Sequence, residues 1–169
     1  MLIVLTGPES SAKSSLTAYL GAYFEAPTVP EVAREYLQER TTYTVQDLIE
    51  IAHLQRLAEA KVNGALRFAD TDLQVIQIWC EERFGQVPAA IARAYRAQCD
   101  RAYLLCKPDI PWVPDPQRQN PHDRARLFAR YRFDLEARGL RFEPVTGCGA
   151  DRRACVITAV KSLLAGQGA

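Results

Sequence analysis

Short all-apolar runs alternate along the chain with longer stretches in which apolar residues return every three or four positions. The first pattern predicts strands and the second predicts helices. Met1 to Leu5 is such a run, and a glycine turn leads from it into a helical pattern over about Lys13 to Phe24. Thr28-Val29-Pro30 is brief and proline-marked, so it predicts a short strand that ends near Glu31 and feeds a helix. Thr44 with Asp47 three residues later has the form of a capping box, and Leu48, Ile51, Ala52, Gln55 and Ala58 carry helical spacing on to about Val62. Leu66 to Ala69 is a third strand with Asp70-Thr71-Asp72 at its carboxyl end, followed by an apolar-periodic helix from Leu73 to Phe84. Pro88 opens another helix, Ala102 to Cys106 is a fourth strand, Asp123 to Arg138 a basic helix, Leu140 to Val145 a fifth strand, and Asp151 to Leu164 a closing helix. Strands and helices that alternate five times predict an α/β fold, a doubly wound parallel five-stranded sheet.

The first strand, turn and helix carry the clearest chemistry. Gly7, Lys13 and Ser14 stand at the spacing of G-x-x-x-x-G-K-[ST], a phosphate-binding loop. Such a loop turns backbone N–H groups inward at the positive end of the following helix, which suits a polyphosphate. Gly7, Glu9, Ser10, Ser11, Ala12, Lys13, Ser14 and Ser15 are therefore the expected nucleotide-binding set, with Lys13 on the β/γ-phosphates and the Ser14 hydroxyl on Mg²⁺. The second glycine of the pattern is replaced by Ala12. Its methyl is tolerable at negative φ and adds strain of about 1 kcal/mol at positive φ.

Ligands in open parallel sheets bind beyond the carboxyl ends of the strands, which makes the acids there informative. Asp70 is the expected Mg²⁺-side carboxylate. Glu31 and Asp72 are both candidates for the base that accepts a proton from an acceptor hydroxyl, and the sequence does not choose between them. Two plainer readings stand beside these: Asp72 as N-cap of the helix from Leu73, and Glu31 as ion-pair partner of Arg34. Lys107 to His122 contains five prolines and Trp112, so it forms no regular element. A connector of that length is unusual unless functional, and 107–123 reads as a lid, with Arg118 and Arg124 placed to clamp a transferring phosphoryl group. Arg126, Arg130 and Arg132 read as solvated helix arginines, and Trp79 as core.

Composition narrows the partners. At 169 residues and 48% apolar, the chain suits one domain with a sizeable core. A net charge of +1 gives no overall attraction for nucleic acid or anionic membranes, so a small-molecule ligand is expected. The first apolar run ends at Leu5 without a basic region before it, and no 18-residue apolar stretch occurs, so a cytoplasmic protein is expected. Five cysteines without a C-x-x-C pair, and only two histidines, predict buried thiols over a zinc site.

Taken together, GPESSAKSSL, PEVAREYL, IAHLQR, FADTD, LLCKPDIPWVPDPQRQNPHDRARLF and TGCGADRRACVITAV resemble the ribosylnicotinamide kinase domain of NadR-type proteins, within the P-loop kinases. The resemblance runs over nearly the whole chain. It implies transfer of the ATP γ-phosphoryl group to the 5′-hydroxyl of nicotinamide riboside, with Mg²⁺, giving nicotinamide mononucleotide. It also implies that Gly147 to Arg152 lie near the adenine. Larger members carry an adenylyltransferase domain with an H-x-G-H signature, which this chain lacks, so the reaction should stop at the mononucleotide. Family members often place aromatics for the nicotinamide where this chain has Pro30 and Ala60. A kinase for another nucleoside, and a non-catalytic module sensing ATP or a pyridine nucleotide, are the alternatives.

Overall fold

The computed structural model describes residues 1–115 and 122–166. Five strands form one parallel sheet: β1 (Leu2–Thr6), β2 (Thr28–Val29), β3 (Arg67–Asp70), β4 (Arg101–Cys106) and β5 (Phe142–Val145), in the order β2-β3-β1-β4-β5. Seven helices connect and flank them among the described residues: α1 (Lys13–Tyr23), α2 (Val32–Tyr36), α3 (Val45–Lys61), α4 (Leu73–Phe84), α5 (Ala89–Arg96), α6 (Arg124–Ala137) and α7 (Gly149–Ala165).

β1 is central and buried over its whole length, as a parallel strand covered on both faces must be. Its side chains divide by the period of two. Ile3 and Leu5 join Leu16 and Leu20 of α1 and Val156, Val160 and Leu163 of α7 on one face. Leu2 and Val4 join Ile78 of α4 and Leu127, Tyr131 and Leu135 of α6 on the other. A third apolar cluster, built from Ala33, Leu48, Ile51, Leu73, Ile76, Ile91 and Tyr95, binds α2, α3, α4 and α5 together beside the β2 edge.

The expected capping box is present at α3: the Thr44 hydroxyl accepts from Asp47 N, and the Asp47 carboxylate accepts from Thr44 N. β2 is the short strand expected, two residues long, since Pro30 has no N–H to extend the ladder. One sequence expectation changes. Of the five cysteines, Cys80 and Cys106 are buried, Cys155 is half-buried, and Cys99 and Cys148 are exposed, so the thiols are not a buried set. No helix of the described residues is long and apolar enough to cross a membrane.

Candidate active site

The register places Asp70 beside Leu5, so the carboxyl end of β3 lies next to the turn that leaves β1. That turn is Gly7 to Ala12, and its first residue must be glycine. A Cβ at Gly7 would come within 2.6 Å of the Cys106 carbonyl oxygen of β4, and φ there is 128°. Ser10 and Ala12 also have positive φ, 52° and 64°, and Thr71 behind Asp70 has 69°. Of the four non-glycine residues with positive φ among those described, three thus lie in the turns after β1 and β3, and the fourth, Glu25, lies just past α1; such conformations recur where a fold commits conformational energy to a site. Lys13, the first residue of α1, folds its ammonium into the loop, 3.0 Å from Gly7 O and 2.9 Å from Pro8 O. Thr6 holds the base of the loop by donating to Gln74 Oε1 at 2.6 Å, and Gln74 in turn donates to Asp134 and to Tyr131 O.

Asp70 is 5% exposed, and its Oδ1 has no hydrogen-bond partner. Burial raises its pKa, opposed by a hydrogen bond from Ser14 and by the charges of Lys13 and Arg34. A buried, partly unsatisfied carboxylate beside a helix-end hydroxyl fits Mg²⁺, which takes one or two protein oxygens and fills its remaining positions from phosphate and water. Ser14 and Asp70 are the residues that would hold it.

A cavity of about 300 Å³ opens beside the loop, within the size range of small-molecule sites. Glu9, Lys13 and Ser14 line its phosphate end, and Glu31, Trp79 and Tyr131 line the rest. Glu31 is the N-cap of α2, held at the cavity by a buried side chain of α3: Gln55 Oε1 accepts from Val32 N at 3.0 Å, and Gln55 Nε2 donates to Pro30 O at 3.2 Å. Trp79 is half-buried on the wall. Its indole N–H donates to Tyr43 OH at 2.8 Å, and the two rings meet edge to face with centres 5.0 Å apart.

The AAA domain family matches residues 2–153. The chain belongs to this AAA domain family. No curated protein sequence matches it. The structures of NadR protein in complex with NAD and AMP-PNP and in complex with NR superpose on 95% of the chain, with TM-scores of 0.67 and 0.68 and identities of 17% and 16%. This chain spans about half the length of those NadR chains, 48% of each. Deoxyadenosine kinase from M. mycoides with bound dCMP and dCDP covers 96% of this chain and matches over 100% of its own length, at 13% identity and a TM-score of 0.56. At such identities the likeness shows a common fold, the parallel α/β fold of P-loop kinases.

Within this AAA domain the remaining candidate residues divide sharply. Arg124 comes to the loop: its Nη1 donates to Ser10 O at 3.2 Å and to Ile110 O at 3.0 Å, and its guanidinium lies 5.8 Å from the Trp112 ring centre. Arg118 lies outside the described residues. Asp72 is a correction. Its carboxylate faces away from the cavity, accepts from Gln74 N as the α4 N-cap, and is buried against Tyr103 OH at 2.8 Å and Arg101 at 3.3 Å. The capping reading holds, because Thr71 between the two acids takes φ 69° and breaks the strand alternation that would leave both on one side, so that Asp72 caps α4 while Asp70 stays beside Ser14.

Arg152, which the resemblance implies lies near the adenine, bonds to both the Gly147 turn and the phosphate loop. It is 2% exposed and lies beneath the loops, donating to Gly147 O, to Ser11 O at 2.8 Å and to Lys107 O at 3.0 Å. It braces the phosphate loop from behind and does not face the cavity. Gly147 lies in the turn it braces and donates its N–H to Asp109 at 3.0 Å. Trp79, expected in the core, does pack against the third apolar cluster and also lines the cavity. Arg126, Arg130 and Arg132 pair with Glu82, Glu81 and Glu136 on the helix surfaces, and Glu82 also lines the cavity.

The sequence reading missed Gln55 and Tyr43 as supports of the site. A glutamine on the apolar stripe of a helix was the one available signal for Gln55, since a buried amide there needs polar partners.

Proposed function

We propose that this chain is an ATP-dependent kinase that phosphorylates the 5′-hydroxyl of nicotinamide riboside, giving nicotinamide mononucleotide. The observation that carries the reading is a cavity lined by the phosphate loop, Lys13 and Ser14 at one end, with Asp70 hydrogen-bonded to Ser14 behind it, and by a carboxylate, Glu31, on the acceptor wall. A nucleotide-binding module without turnover has no use for that acceptor carboxylate. The NadR structures with NR, NAD and AMP-PNP support the substrate, as does an indole wall against which a flat ring can lie.

In this reading the loop N–H groups and Lys13 hold the β- and γ-phosphates of ATP, and Lys13 offsets charge that builds on the γ-phosphoryl oxygens. Bound Mg²⁺ would neutralise the polyphosphate and fix its geometry. Glu31 accepts the proton of the 5′-hydroxyl as its oxygen bonds to the γ-phosphorus, while the bond from that phosphorus to the β–γ bridging oxygen breaks and ADP leaves. Arg124, at the loop and the strap above it, helps hold the transferring group away from water. Glu31 is the base here, since Asp72 is enclosed behind α4.

The test is ADP formation from Mg-ATP against a panel of nicotinamide riboside, purine and pyrimidine nucleosides and deoxynucleosides. The reading predicts the highest kcat/KM for nicotinamide riboside. Turnover of another nucleoside in its place overturns the substrate, and nucleotide binding without acceptor-dependent ADP overturns the kinase.

A further inference from the structure

The strap from Lys107 to Asp115 is tied at successive residues to three different parts of the site. Lys107 O accepts from Arg152, and Asp109 accepts from Gly147 N, which fixes its start to the turn before α7. Ile110 O accepts from Arg124, and Val113 N donates to Ser10 Oγ at 3.0 Å, which seats its middle on the phosphate loop. At its far end Asp115 Oδ2 accepts from Arg34 Nη1 at 3.1 Å. The same guanidinium has its Nε 3.7 Å from Glu31 Oε2. Arg34 lines the cavity, so this pairing brings the strap to the cavity's edge and to the acceptor carboxylate at once. Asp70 adds a third negative charge within its field.

The Arg34 side chain is 48% exposed, and pairs at such positions contribute about 0–1 kcal/mol to folding. The pairing does join two partly buried carboxylates from distant parts of the chain, Glu31 and Asp115, through one guanidinium. We propose that Arg34 is a positioning residue that couples the strap to the acceptor site: held by Asp115, it orients Glu31 toward the acceptor hydroxyl and anchors the strap over the phosphate end. The inference rests on the kinase reading of the site. With the strap anchored, water is kept from the γ-phosphoryl group until an acceptor is in place. With the anchor cut, ATP hydrolysis competes with transfer.

The test uses the full chain and the variants Arg34→Ala, Asp115→Asn and Arg34→Lys, each checked for an unchanged melt. Two readouts are taken: hydrogen exchange of residues 107–115 with Mg²⁺ and a nonhydrolysable ATP analogue, and the ratio of ATP hydrolysed to phosphoryl group transferred. Arg34→Ala and Asp115→Asn should each speed exchange across the strap and raise the hydrolysis-to-transfer ratio by about tenfold, with the KM for ATP within about twofold of the parent. Arg34→Lys keeps the charge and should recover much of the protection. Unchanged exchange in Asp115→Asn overturns the coupling, as does an effect confined to Arg34→Ala. If the parent chain phosphorylates no nucleoside, the kinase proposal fails, while the exchange measurement still decides whether Arg34 and Asp115 hold the strap.

Discussion

Ala12 occupies the second glycine position of the phosphate loop at φ 64° and ψ 23°, so the strained alternative raised by the sequence is the one realised. An L-residue there costs about 1 kcal/mol relative to glycine. Ala12→Gly is therefore expected to raise Tm by about 2–4 °C for that free energy in a chain of this size, and to tighten ATP binding, both readable by calorimetry. A lower Tm would mean that the methyl, which packs against the core beside α1, contributes more than the strain costs. Glu31→Gln keeps the shape and the Gln55-supported turn but removes the carboxylate proposed as proton acceptor. Its kcat should fall by about 10²- to 10⁴-fold with little change in the KM for ATP, in steady-state kinetics with both substrates varied. Loss of ATP affinity in its place would put Glu31 on the nucleotide side. The two carboxylates of Asp70-Thr71-Asp72 show how far a sequence speaks at this scale. Both acids sit at a strand end as expected, but which one stays beside Ser14 and which one caps α4 depends on Thr71 taking positive φ, and no local pattern announces that.

Among the elements, α3 does more than cover the sheet edge. Its capping box fixes where it starts, and Gln55, almost three turns on, satisfies the two backbone groups that flank Glu31. Replacing Gln55 with Ala leaves Val32 N and Pro30 O without that partner, at about 1–3 kcal/mol for a buried unsatisfied group. The variant should melt several degrees lower and lose kcat more than ATP affinity, as the acceptor wall loosens while the phosphate loop stays braced by Arg152. Helices and strands were legible because binary pattern sets them: Leu73 to Phe84 and the capping box of α3 stand where the pattern puts them. The supports of the site were not legible. Gln55 with Pro30, Tyr43 with Trp79 and Arg34 with Asp115 are separated by 25, 36 and 81 residues, and only the assembled fold brings them together.

At the scale of the whole molecule, one buried polar group gives folding a pH dependence. Arg101, at the start of β4, is shared by Glu59 of α3 and Asp72, at 3.0 and 3.3 Å. One guanidinium does not compensate two buried acids, and burial pushes Glu59 up to about 7. Burial raises Asp72 as well, against the pull of Arg101 and its hydrogen bonds. With the folded pKa of Glu59 above its unfolded value of 4.5, the native state holds a proton that the unfolded chain gives up. Stability from this group is full below that value and is lost as pH rises toward and through about 7. Thermal melts from pH 5 to 8 should therefore show Tm falling with pH over this interval, and Glu59→Gln should flatten the slope.

The central claim is that the site joins a phosphoryl group to an alcohol at the sugar of a pyridine nucleoside. Its most direct test is ³¹P NMR of the chain with Mg-ATP and nicotinamide riboside. The proposed reaction gives a new phosphomonoester signal coupled to the two 5′ protons of the ribose, growing as γ-phosphate is consumed and absent with Lys13→Ala, which is expected to melt as the parent does. Inorganic phosphate and ADP without a phosphomonoester, or no change in the ATP resonances, would contradict it.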